Sequence, residues 1–117
     1  NGYVDVAKLL LERGANVDYV NRNGATALMF AAFNGYVDVA KLLLERGANV
    51  DHVNRYGATA LMFAAYRGYV DVAKLLLERD ANVDHAAQDG RTPLELARNK
   101  GHRAIVDLLR AAMERDE

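Results

Sequence analysis

Residues 35–67 read GYVDVAKLLLERGANVDHVNRYGATALMFAAYR, and the chain carries this line nearly twice and then a third time in altered form. Gly2 to Asn34 repeat it with four changes: Tyr19 for His52, Asn23 for Tyr56, Phe33 for Tyr66 and Asn34 for Arg67. From Gly68 it begins again as GYVDVAKLLLERDANVDH and then drifts. The period is 33 residues. Self-similarity at a fixed period of that size marks a stacked-repeat architecture, in which each unit is too small to bury its apolar face alone.

Within the line, two helices and a turn are legible. Tyr3, Val6, Ala7, Leu10 and Leu11 fall at i, i+3, i+4, i+7 and i+8, with Asp5, Lys8 and Glu12 on the opposite side, which predicts an amphipathic helix up to Arg13. Gly14 supplies the left-handed residue that commonly ends a helix. Asn21-Arg22-Asn23-Gly24 is dense in turn formers, so the chain reverses there. Thr26 is placed to cap a short apolar helix over Ala27 to Phe33, which closes at Asn34-Gly35.

Cutting at the turn gives pieces 1–20, 21–53, 54–86 and 87–117. The first is a partial repeat that lacks its first helix, the second and third are complete, and the fourth keeps the spacing while changing the surface. In it Glu95, Arg98, Lys100 and Arg103 stand where the inner unit has Met62, Ala65, Arg67 and Val70, the polar outer side of a C-terminal capping repeat.

Gly90-Arg91-Thr92-Pro93-Leu94 resembles the G-x-T-P-L of ankyrin repeats, and Gly101-His102 followed by Ile105, Val106, Leu108 and Leu109 resembles their second helix. The inner units look like the same motif with Thr59-Ala60-Leu61-Met62 in place of Thr-Pro-Leu-His, and the resemblance spans the whole chain. It implies an all-α ankyrin-repeat solenoid of helix-turn-helix units with β-turn loop tips. Two departures carry consequences. Met29 and Met62 replace a histidine that in ankyrin repeats helps tie neighbouring loops, so that tie must be weaker or replaced by packing. Asp80 replaces Gly14 and Gly47 where positive φ is expected, at a cost of about 1 kcal/mol.

Composition narrows the chemistry. The formal charge is -1, with no basic excess to favour a nucleic-acid or membrane partner. Cysteine is absent, which removes disulfides and thiolate chemistry and fits a reducing compartment, with the cytoplasm as the default expectation. No apolar run is long enough to span a bilayer, and the start, Asn1-Gly2-Tyr3, is not a signal peptide; without an initiator methionine it suggests a trimmed chain. Serine is absent too, so Ser-His-Asp and Cys-His catalysis are excluded. Thr26, Thr59 and Thr92 share one helix-start position that capping explains. The glycines form no phosphate-binding loop, and the spacing of His52 and His85 is inherited from the repeat, so neither a cofactor nor a metal is expected. Asp38 with Lys41 and Asp71 with Lys74 predict weak surface pairs. Phe30 and Phe63 are expected to pack between repeats.

The informative positions are those where near-identical units differ: Tyr19/His52, Asn23/Tyr56, Phe33/Tyr66 and Asn34/Arg67, all at the loop tip or the end of the short helix. In ankyrin repeats these places line the concave face. The resemblance therefore implies a non-enzymatic protein-recognition module, with partner contacts from Tyr19, Arg22, Asn23, Phe33, Asn34, His52, Arg55, Tyr56, Tyr66, Arg67, His85, Gln88, Asp89 and Arg91. Tyr, Phe and Arg are types enriched at binding hot spots. The alternative is a structural array, engineered or recently duplicated, with no dedicated ligand. The missing first helix leaves Tyr3, Val6, Ala7, Leu10 and Leu11 as candidates for a homodimer interface.

Overall fold

Each short helix begins at a threonine. Thr26, Thr59 and Thr92 have extended backbones, and each Oγ1 accepts a hydrogen bond at 3.3 Å from the N–H three residues on, Met29, Met62 and Glu95. Such a cap stabilises a helix by about 1 kcal/mol over alanine. The computed structural model describes residues 26–115, as six α-helices and no strand. They are α1 (Ala27–Asn34), α2 (Val37–Glu45), α3 (Ala60–Arg67), α4 (Val70–Glu78), α5 (Pro93–Asn99) and α6 (Arg103–Arg115). The fold is the all-α repeat solenoid that the period implies.

The helices form two layers. α1, α3 and α5 stack as an inner row, α2, α4 and α6 as an outer row, and each inner helix packs on the outer helix that follows it. The inner helices α1 and α3 are apolar nearly all round because they touch neighbours on several sides, whereas α5 carries exposed Glu95 and Arg98. Leu28, Met29, Leu61 and Met62 are buried, and Ala31, Ala32, Ala64, Ala65 and Ala97 are wholly inaccessible. These small side chains let the inner helices approach one another more closely than the outer ones do. Met29 and Met62 thus enter the packed core.

Outer helices are amphipathic in the expected register. Val39, Ala40, Leu43 and Leu44 are buried in α2, as are Val72, Ala73, Leu76 and Leu77 in α4, while Asp38, Lys41, Asp71 and Lys74 face solvent. The surface pairs foreseen between those charges do not close: among the described residues the ion pair that forms is Asp89–Arg91, at 2.7 Å. An exposed pair gains little against side-chain entropy, so helical spacing alone does not hold it together.

After the outer helix the backbone turns through a left-handed residue. Gly47 has φ 90° and Asp80 has φ 64°, and their N–H groups donate equivalently to Leu44 O and Leu77 O at 3.1 Å. A Cβ on Gly47 would meet nothing within 4 Å. Only the backbone cost separates the two residues, so Gly47→Asp is expected to lower stability by about 1 kcal/mol in chemical denaturation. An unchanged midpoint would remove strain as the distinction between them.

Candidate functional site

The loop tips are built by side chains that stand in for backbone partners. Asn54 Oδ1 accepts from the N–H groups of Tyr56 (2.9 Å) and Ala58 (3.0 Å), and Gly57, at φ 78°, completes the reversal. One repeat on, Asp89 Oδ1 accepts from Arg91 N at 3.0 Å, with Gly90 at φ 87°. Asx side chains and glycine are what such tight turns need.

Neighbouring tips are then tied together. Gln88 N donates to Tyr56 O at 3.0 Å, Gln88 Nε2 to Arg55 O at 2.8 Å, and Asn82 N to Asp51 Oδ1 at 2.8 Å. His85 Nε2 lies 2.8 Å from Gly57 O; a carbonyl only accepts, so this nitrogen carries the proton. A histidine tie between loops therefore exists, made from the repeat position of His52 and His85, ten residues before the one that Met62 holds.

Between the tied tips and the ends of the inner helices lies an open groove of about 570 Å³. Met62, Phe63 and Leu96 belong to its apolar floor, Phe33, Tyr56 and Tyr66 to its aromatic sides, and Gln88, Asp89 and Arg91 to its polar end, with Asn54, Ala58 and Ala87 completing the lining. Tyr56 is 59% exposed, Tyr66 39% and Phe33 38%, an unusual amount of aromatic surface to leave in water. The expectation that Phe63 packs between repeats holds: its ring meets Phe33 of the preceding repeat edge-on, 5.9 Å between centroids. Phe30 instead keeps 57% of its surface exposed beside Tyr36.

Cations stand over these rings. The Arg67 guanidinium is 4.5 Å from the Phe33 centroid, Lys100 Nζ 4.7 Å from that of Tyr66, and the Arg55 guanidinium 5.5 Å from that of Tyr56. Arg67 also reaches Tyr69 Oη at 3.4 Å. At the polar end the hydrogen bonds from Arg91 hold the Asp89 carboxyl below the usual carboxylate range, and Asp89 in return raises the Arg91 guanidinium. The groove is thus apolar below, aromatic at the sides and cationic at the rim, with one neutralised ion pair.

The structure brings Phe33, Tyr56, Tyr66, Gln88, Asp89 and Arg91 to one groove, with Arg55 and Arg67 on its rim. Three candidates have other contacts or lie elsewhere. Asn34 turns its Nδ2 back to Phe30 O at 2.9 Å, His85 holds the Gly57 carbonyl, and His52 is half-buried and does not line the groove. Tyr19, Arg22 and Asn23 lie outside the described residues, as do Tyr3, Val6, Ala7, Leu10 and Leu11. Sequence reasoning missed the floor and Lys100. Met62 and Phe63 recur unchanged from Met29 and Phe30, which marks them as core, and Lys100 reads only as polar surface. Among the described residues no His, Asp and Glu side chains gather as metal ligands, and no helix is long and apolar enough to cross a membrane.

A family model described as ankyrin repeats (3 copies) matches residues 1–54 and 47–116. The comparison with curated proteins returned no match.

Proposed function

The chain belongs to the ankyrin-repeat family, and from that premise we propose that it is a non-enzymatic protein-recognition module whose binding face is the groove around Phe33, Tyr56 and Tyr66. Ankyrin repeats are generally protein–protein interaction modules. One observation carries the assignment: of the four positions at which otherwise identical repeats differ, three converge on a single exposed apolar concavity, Phe33/Tyr66 and Tyr56 in its lining and Arg67 on its rim. Drift at unrelated surface sites has no reason to collect aromatic side chains around one groove. The mechanism is rigid display. Helices and hydrogen-bonded tips are ordered before the partner arrives, so little conformational entropy is lost on association, and buried aromatics supply the anchors. The last repeat serves as a cap in this proposal, since Glu95 and Arg98 are exposed where Met62 and Ala65 are buried.

The bonds made by the two tyrosines to the fold are backbone bonds. Tyr56 uses its N–H and carbonyl, and Tyr66 O accepts from His102 Nε2 at 3.0 Å. Joint substitution Tyr56→Ala, Tyr66→Ala is therefore expected to change unfolding free energy by less than about 1 kcal/mol, as for surface changes generally. Affinity capture from lysate with the parent chain and the double variant should then show a protein held by the first and lost from the second. Loss of the fold in the variant would make the tyrosines structural and defeat the assignment; capture of nothing by the parent would favour a stacking scaffold without a dedicated ligand.

A further inference from the structure

The charge around the groove specifies the partner's chemistry. The chain as a whole is at -1, and α2 and α4 each carry two carboxylates against one lysine, Asp38 and Glu45 with Lys41, and Asp71 and Glu78 with Lys74. The groove rim is of the opposite sign. The carboxylates beside it, Asp89 and Glu95, both act on Arg91, and Asp89 is closed onto it at 2.7 Å. No carboxylate among the described residues pairs with Arg67 or Lys100. Each of these two cations lies over an aromatic side of the groove, Phe33 and Tyr66. A guanidinium or ammonium resting on a ring face keeps outward N–H donors, and the guanidinium edge matches a carboxylate in a bidentate fork.

Arg67 and Lys100 occupy equivalent places in successive repeats, at the ends of stacked inner helices. Packed helices lie about 8–10 Å apart, which is the reach of about three residues of extended chain. Resting on the assignment of the groove to protein recognition, we propose that its occupant is an acidic peptide segment in the extended polyproline II conformation, which returns every third side chain to the same side, with carboxylates about three residues apart on Arg67 and Lys100 and an apolar side chain between them on the Met62, Phe63 and Leu96 floor. Single-stranded nucleic acid would also seek cations and rings, but it needs open ring faces for base stacking. Here Arg67 and Lys100 already occupy one face of Phe33 and of Tyr66, and the floor is thioether, phenyl and alkyl.

The test is to pan a displayed library of random peptides against the full chain, then measure the enriched peptides by fluorescence anisotropy. Enrichment of sequences with acidic residues about three apart around a large apolar residue is expected. Their affinity should fall with added salt and drop by about tenfold or more in the Arg67→Glu, Lys100→Glu variant, with peptides in which lysine replaces each acidic residue bound better by that variant than by the parent. This charge exchange separates a lost contact from a lost fold. Enriched peptides that are neutral or basic, yet lost in the Tyr56→Ala, Tyr66→Ala variant, would overturn the acidic inference and leave the recognition groove standing. Peptides indifferent to both variants would overturn both. Tight retention of oligouridylate by the parent, with no peptide enriched, would overturn the inference in favour of nucleic acid.

Discussion

Leu76→Ala is expected to cost about 3 kcal/mol of unfolding free energy, within the 2–5 kcal/mol that truncating a buried leucine removes. Leu76 is wholly inaccessible in α4, the middle helix of the outer row, which packs on α3 and touches both α2 and α6. Its isobutyl group has contacts across the layers, and helices pinned on several sides cannot move in to refill the space. At about 4 °C per kcal/mol for a domain near this size, the melting midpoint should fall by roughly 12 °C. Urea unfolding followed by circular dichroism measures the change directly. A loss below about 1 kcal/mol, the range of a surface change, would mean that the site collapses freely and that the outer row is not close-packed.

Gly68→Ala is the second large effect, and its cause is of a different kind. Gly68 ends α3 at φ 82°, and a Cβ there would lie 2.6 Å from Cε1 and Nδ1 of His102 in the next repeat. Alanine would pay about 1–2 kcal/mol for the left-handed conformation. The imidazole would also have to withdraw, and Nε2 would lose the Tyr66 carbonyl it donates to at 3.0 Å, a bond of about 1 kcal/mol. Together these give an expected loss of about 3 kcal/mol. Gly101→Ala is the control, because Gly101 has φ 75° but a Cβ there would meet nothing within 4 Å. Its cost should stop at the backbone term. Equal losses at the two glycines would show that the histidine yields at no cost and that this contact does not couple the repeats.

Gly35 bears on Tyr69 as Gly68 bears on His102, with a Cβ 2.9 Å from the tyrosine ring. One side chain from each repeat thus covers the glycine of the one before. Sequence reasoning recognises these glycines as helix ends, since that property is local. It does not find the rings above them, because Tyr69 follows Gly35 by one residue more than a full period and its direction depends on how the repeats sit together. The same limit applies to His85 and Gln88. Both read as exposed binding residues, yet their side chains bond to Gly57 O and Arg55 O, 28 and 33 residues away. A polar side chain at a loop tip serves partner or neighbour according to the gap between loops, and that gap is set by inner-helix packing.

The 33-residue period, the threonine caps, the glycine helix ends, the buried faces of the helices and the left-handed Asp80 were all present in the sequence, because each rests on interactions within a few residues or on a pattern repeated along one element. The positions of variation were present there as well. Their convergence with Met62, Phe63 and Leu96 into one groove, and the placing of Arg67 and Lys100 over Phe33 and Tyr66, came only with the tertiary structure. These contacts join residues about one period apart, and their distances follow from how closely alanine-faced inner helices approach one another, a dimension that no local pattern encodes.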